Sequence, residues 1–338
     1  MFLCLKTSSN NRDVLKTIFR KLGQGLGVLW GTLTLVFVLF ALIPDPARQL
    51  AGQNEQEEVV EAIREKYGLN QSLSQRYFDF FIGLSPLQHR SEGWVWGAPD
   101  LGRSYVSDRP VAVAIFQSLP ATILLAVLAM LLAMVFGLSG GLACGAMPGS
   151  FVDRLFLTVA SLGMSAPSFV MAIVVSWLFG SVFHAWTGLP MTGGLWEVDP
   201  FDGPQLALRH AILPAITLGV RPLSVVFQLT RNSVTEILDS SYVRTAKSKG
   251  LSKMRVMTHH VLRNALNPVL TAASGWFASM LAGAVFVEFV FGWQGMGLLM
   301  FRALEQSDLP MVMGCVAVVA ATFVVINLLV DLLYGWID

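Results

Sequence analysis

SYVRTAKSKGLSKMRVMTHHVLRNALNP, residues 241–268, interrupts an otherwise apolar C-terminal half. Arg244, Lys247, Lys249, Lys253, Arg255 and Arg263 fall within it, and no acid does. The stretch reads as two short helices joined by a glycine turn. A serine oxygen accepts from the free amides of a helix's first turn, so Ser240 or Ser241 can cap the first helix. Gly250 suits the left-handed position just past its end, where any side chain would be strained. Ser252 can cap the second helix, which runs on into an apolar segment. A short basic helix hung between two apolar segments suggests a docking element at a membrane surface.

The rest of the chain supports the membrane reading. Of 338 residues, 54% are hydrophobic and only 13% charged, with a mean hydropathy of +0.61. A soluble domain carries roughly 25% charged residues. The net charge of +1 is uninformative; where the charge sits is not. Cys4, Cys144 and Cys315 are far apart in sequence and imply neither a disulfide framework nor a cysteine metal site.

A helix needs about 20 apolar residues to cross about 30 Å of hydrocarbon. Six stretches qualify: 24–44, 117–146, 156–183, 209–231, 266–291 and 311–335. Residues 24–44 are full membrane length with no small-residue cleavage site after them, so they read as an uncleaved span and not a signal peptide. Backbone amides find no water in lipid, so each span should be helical. The expected fold is all-α, a polytopic membrane protein with six transmembrane helices. Lysine and arginine mark the cytoplasmic side. They crowd the N-terminus (Lys6, Arg12, Lys16, Arg20, Lys21) and the 232–265 loop, are absent from 184–208, and number one, Arg302, in 293–310. Six spans with both termini cytoplasmic satisfy this bias.

The expected organisation is a cytoplasmic segment 1–23, a first span 24–44, an external helical insertion 45–116 and a five-helix core 117–335. QEEVVEAIREKYG (56–68) sets Val59, Val60, Ile63 and Tyr67 at helical spacing, with Gly68 to end the helix. SLSQRYFDFFIGL (72–84) is a second amphipathic candidate, followed by a loop with Trp94 and Trp96. The insertion reads as a cap on the outer ends of the spans and as a docking surface for an external partner.

Small residues four apart leave a groove where another helix can approach closely. Gly137, Gly141, Gly145 and Gly149 do this in the second span, Gly23, Gly27 and Gly31 in the first, and Gly275, Ser279 and Gly283 in the fifth. Packing within the chain is the expected use of most of them. Pro120, Pro167, Pro214, Pro222 and Pro268 lie in or beside spans, each a site for a bend, fixed or hinged.

No lysine follows a glycine directly, so a phosphate-binding loop ending Gly-Lys-Ser/Thr is absent. Energy from ATP would have to come from a partner. Gly137-Leu138-Ser139-Gly140-Gly141 fits the G-x-S-x-G pattern of hydrolases. Ser139 lies near the cytoplasmic end of its span, however, and His184 and His210 fall near the other face. Adjacent His259 and His260 point about 100° apart on a helix, so they do not readily share a metal. Arg221, midway along the fourth span, and Glu288, in the fifth, are intramembrane charges and should face protein or a water-filled cavity. Either they are structural, paired with each other or with carbonyls, or they line a translocation path.

The 241–268 stretch resembles the coupling loop of permease subunits in ATP-binding-cassette importers. That loop reads Glu-Ala-Ala, three residues, Gly, nine residues, then Ile-x-Leu-Pro. Here Arg244-Thr245-Ala246 is followed by three residues, Gly250, nine residues and His260-Val261-Leu262-Arg263. The Ala, the Gly, their spacing and the Leu match; the Glu, the first Ala, the Ile and the Pro do not. DLGRSY (100–105), RHAILPAITL (209–218), LTRNSV (229–234) and INLLVDLLY (326–334) resemble the dipeptide and oligopeptide branch, B-type subunit. The resemblance implies a type I importer fold in the inner membrane. It implies a second homologous permease, two cytoplasmic ATPases that bind the ATP and Mg, and an external solute-binding protein, with no cofactor in this chain. It also implies that Tyr242, Arg244, Thr245, Ala246, Gly250 and Leu251 couple to the ATPase, the helix seated in a partner's groove. Basic charge beside a membrane also attracts anionic lipid, at about 1 kcal/mol per residue. That accounts for the charge but not for the capped helix or the glycine turn. A secondary transporter without an ATPase and an intramembrane hydrolase using Ser139 are the rival readings.

Overall fold

The computed structural model describes residues 11–42, 46–51, 56–85, 87–90, 93–97, 99–199, 201 and 203–337. In chain order the helices are α1 (Asn11–Ala41), α2 (Pro46–Ala51), α3 (Glu57–Lys66) and α4 (Leu73–Leu84), then a hairpin of β1 (Leu87–Arg90) and β2 (Gly93–Trp96). Next come α5 (Val111–Gly145), α6 (Phe151–Ser165), α7 (Ser168–Trp177), α8 (His184–Thr187) and a hairpin of β3 (Trp196–Asp199) and β4 (Gly203–Leu206). The remainder is α9 (Ile212–Leu238), α10 (Ser241–Ser248), α11 (Lys253–Arg255), α12 (Arg263–Gly283), α13 (Val285–Phe291), α14 (Met296–Glu305) and α15 (Leu309–Ile337). π-Helical turns extend α7 (Leu178–Val182) and join α11 to α12 (Val256–Leu262).

Among the described residues, four helices are long and apolar enough to cross a membrane: Arg20–Ala41, Val111–Gly145, Leu208–Leu238 and Leu309–Leu329. Two bent helix pairs are apolar enough as well, which brings the count to six if each pair is one span. The expected continuous helix over 156–183 is instead α6 and α7, bent by 113°. Pro167 explains the break: it has no amide hydrogen to donate, and it pushes Ala166 into the extended region, where ψ is 132°. The expected 266–291 span is α12 and α13, bent by 56°. Pro120, Pro222 and Pro268 stay inside helices.

The chain forms two compact units, residues 1–115 with 303–338, and residues 116–302. In the first, α1 packs along α15 with opposite direction: Gly25 abuts Val324, while Leu33 and Phe37 share a cluster with Met313 and Ala317. The glycine used is Gly25. The expected stripe of Gly23, Gly27 and Gly31 meets nothing within 4 Å of where a Cβ would stand. Helices α3 and α4 match the two amphipathic stretches. Gly68 ends α3 in the left-handed region (φ 63°), with Leu69 N–H donating to Arg64 and Gly68 N–H to Glu65. Ser72 and Gln75 make a reciprocal capping box at α4. The tryptophan loop expected over 89–99 is largely the β1–β2 hairpin. Asp308 caps α15 and holds the DLGRSY loop, accepting from Ser104 Oγ and Tyr105 N–H.

In the second unit the glycine stripe of α5 is used as expected. A Cβ on Gly137, Gly141 or Gly145 would lie under 3.0 Å from Val226, Thr230 or Val234 of α9. Gly149 instead takes a left-handed turn (φ 78°) before α6. The stripe expected on α12 is open at Gly275, and Ser279 is exposed.

Candidate coupling surface

α10 is a two-turn helix, basic in sequence and closed by glycine. Gly250 has φ 81°, Leu251 N–H donates to Ala246 and Gly250 N–H to Lys247. This is the double-bonded helix end that a left-handed residue permits. Ser252 caps the next helix by accepting from Arg255 N–H, as expected. Ser240 sits at the cap position of α10, but its hydroxyl turns back to donate to the Ile237 carbonyl, so no side chain caps α10.

One face of α10 is fixed to its own chain. Val243 and Ala246 are buried with Val234, Val256, Val261 and Ala265, and Leu142, Ile237, Leu238, Leu251 and Met257 close the cluster. Sequence reasoning put Ala246 and Leu251 on a surface offered to a partner. Ala246 is 7% exposed and Leu251 half-buried, so both seat the helix instead. The face left open carries Tyr242, Arg244, Thr245, Lys247, Ser248, Lys249 and Gly250. Tyr242 is held in place by Asn264, whose side-chain amide donates to its hydroxyl at 3.2 Å. Arg244, Lys247 and Lys249 form no ion pair with another described residue. The result is a positively charged, rigidly mounted foot with a buried apolar sole.

Behind the foot, α9 is tied to α6. Arg231 donates to Asp153 through Nε (3.0 Å) and Nη2 (2.8 Å), and Gly149 N–H donates to the same carboxylate at 2.8 Å. Asp153 is buried, and Ser150 caps its helix. A two-pronged guanidinium–carboxylate pair fixes distance and orientation together. Sequence reasoning missed this pair, although Ser150-Phe151-Val152-Asp153 carries the cap-then-acid signature of a helix start.

Arg221 and Glu288 do not pair. Arg221 is exposed, and its guanidinium reaches the Met164 carbonyl at 3.5 Å, beside the α6–α7 break. Glu288 is fully enclosed. It accepts from Thr122 Oγ1 (2.6 Å) and from Leu298 N–H (2.9 Å), while Thr122 Oγ1 accepts from Met296 N–H and Trp293 Nε1–H donates to the Ala121 carbonyl. Glu288 therefore binds the 292–298 turn to α5 and α13. Thr122 and Trp293 went unnoticed because their roles depend on contacts more than 160 residues away in sequence. Ser139 lies within α5, and its hydroxyl donates to the Val135 carbonyl one turn back. It lacks the strained turn of a hydrolase nucleophile, and among the described residues it has no histidine partner.

Comparison with known proteins gives the family. Residues 133–338 match the family model described as binding-protein-dependent transport system inner membrane component, and residues 8–126 match that of its N-terminal region. The chain is 36% identical over 341 residues to the di/tripeptide transport system permease protein DppB of Pseudomonas aeruginosa, covering 95% of this chain and 97% of that one. It is 33% identical over 326 residues to the glutathione transport system permease protein GsiC of Escherichia coli O6:H1, covering 96% and 98%. Among solved structures, an inward-facing form of the MetNI methionine ABC transporter aligns with a TM-score of 0.53 at 16% identity, over 68% of this chain and 98% of that one. That likeness bears on the fold, the type I importer transmembrane fold. The chain belongs to the binding-protein-dependent transport system inner membrane components, as a permease subunit of an ATP-binding-cassette importer and not an enzyme.

Proposed function

We propose that this chain is one of two permeases in a peptide importer, driven through the exposed face of α10 by a cytoplasmic ATPase. The single observation that carries the reading is the mounting of α10. Its apolar side is locked into α5, α9 and the run leading to α12, so a push on its open side moves span ends and not a loose loop. Tyr242, Arg244, Thr245 and Gly250 make the contact, and Ala246 and Leu251 hold the foot in place. Both termini and the 232–265 loop lie in the cytoplasm, and the 45–116 segment lies outside, where a solute-binding protein delivers the peptide. ATP binding in the partner shifts α10, α9 follows, and Arg231–Asp153 carries the motion to α6. The two states differ in how α10 meets the partner, which any coupling requires.

Peptides are the substrate class because permeases named for dipeptides, di/tripeptides and glutathione align along nearly the whole chain. Arg221 is the residue we assign to the path. A charge exposed midway along a span is costly in lipid, so it faces a watery cavity or the second permease, where it can meet a peptide carboxylate.

Reconstitution of the complex with its binding protein tests the reading. Uptake of a labelled dipeptide should require ATP on the α10 side and survive collapse of the proton and sodium gradients. Uptake driven by a gradient without ATP would establish the secondary-transporter reading instead. Arg244→Glu together with Lys247→Glu should lower uptake at least tenfold with membrane insertion intact.

A further inference from the structure

The helix α4 has three sides. Successive helical residues turn by about 100°, which places Tyr77, Phe80, Phe81 and Leu84 toward α1, Arg76 and Asp79 on one flank, and Phe78 and Ile82 on the other. The polar flank contributes Arg76 and Asp79 to a cleft lined also by Gln71, Asp100 and Tyr105. The apolar flank is left open: Phe78 is 62% exposed and Ile82 59%.

Its depth decides what covers that flank. Tyr77 Oη hydrogen-bonds Thr34 Oγ1 at 2.8 Å, and its ring meets Phe37 edge-on at 5.3 Å between centroids. Phe80, Phe81 and Leu84 join the same cluster, so four side chains along one face hold α4 here and not just one long side chain. Thr34 and Phe37 lie seven and four residues short of the end of α1 at Ala41. At 1.5 Å per residue that is about 10 and 6 Å inside the span. The other helix of the cluster agrees: Met313 lies four residues into α15, about 6 Å from its start at Leu309. Helices that lie in a membrane interface sit about 5–10 Å deep, apolar flank down.

We propose that α4 lies in the leaflet on the cap side of the membrane, with Phe78 and Ile82 bedded among acyl chains, and so anchors residues 57–105 to the bilayer. The complex would be reconstituted in phosphatidylethanolamine–phosphatidylglycerol bilayers with Cys4 replaced by serine and a nitroxide at Phe78→Cys, Ile82→Cys or Asp79→Cys. Labels at 78 and 82 should relax with dissolved oxygen at least threefold more than with a water-soluble nickel chelate, and the label at 79 should show the reverse. Nickel preference at 78 or 82 would put the flank in water, and low access to both reagents would put it against protein. Either overturns the proposal. The unsubstituted chain gives a second reading: a phospholipid with a photoactivatable group near the carbonyl end of its acyl chain should label the 73–84 peptide, and no labelling there would also overturn it.

Discussion

Replacing Gly141 with alanine tests the seam on which the coupling surface is built. A Cβ there would stand 2.6 Å from Thr230 Cβ, 2.8 Å from the Phe227 carbonyl oxygen and 2.9 Å from Thr230 Cγ2. Ordinary carbon contacts sit near 3.5–4.0 Å. A side chain can rotate away, but Phe227 O is backbone, so α5 and α9 must part by about 0.7 Å, and a gap of that size forfeits a quarter to a half of each contact. The seam runs from Gly137 to Gly145, about 12 Å of helix. Overpacking of this kind costs about 1–3 kcal/mol, and alanine returns up to about 1 kcal/mol of helix propensity. Gly141→Ala should therefore destabilise the chain by up to about 2 kcal/mol, and Gly141→Leu should prevent assembly. Gly27→Ala is the control, since nothing lies within 4 Å of its Cβ position. Denaturation of the complex in mixed micelles, followed by loss of assembled permease, gives the comparison. Equal midpoints for Gly141→Ala and Gly27→Ala would refute the close approach of α5 and α9.

Removing either partner of the Arg231–Asp153 pair should cost about 1–3 kcal/mol, the range for leaving a hydrogen-bonding group without its partner. Arg231→Ala should be worse than Asp153→Ala, because the orphaned carboxylate is 1% exposed and the orphaned guanidinium 20%. A double-mutant cycle on the same denaturation assay checks this, and additive losses would deny the pairing. Gly250→Ala puts a side chain at φ 81°, at about 1–2 kcal/mol. Hydrogen exchange of the Gly250 and Leu251 amides should quicken, and Gly250→Asn, which tolerates this backbone better, should lie between the two. Glu288→Ala leaves the Leu298 N–H without its acceptor at about 1–3 kcal/mol. Protease cutting within 292–298 should rise, with no change in affinity for peptide.

Much of the fold could be read from local rules. Gly68 and Gly250 announced the helix ends at which they stand, and Ser252 a helix start, because each acts within four residues of itself. Apolar length marked the spans. The bend at Pro167 was visible as a proline, but not that it would turn the chain through 113°. The glycine stripes were legible as grooves, yet only the one on α5 is filled as expected, since sequence spacing does not say which helix lies opposite. For the same reason Ala246 was assigned to the outer surface: a small residue on a short helix looks alike whether it faces a partner or the chain's own core. The links of Glu288 to Thr122 and Asp153 to Arg231 join residues far apart in sequence, and only the folded chain brings them together.

The central claim is that the open face of α10 receives the force. Cysteine placed at Thr245, paired in turn with single cysteines around the surface groove of the partner ATPase, gives the most direct measurement when oxidised in the assembled complex. A crosslink at Thr245 that forms in one nucleotide state more than another, with none from buried Val243, is the outcome this account predicts. Full ATP-driven peptide uptake in a complex where Thr245 never meets the ATPase would contradict it.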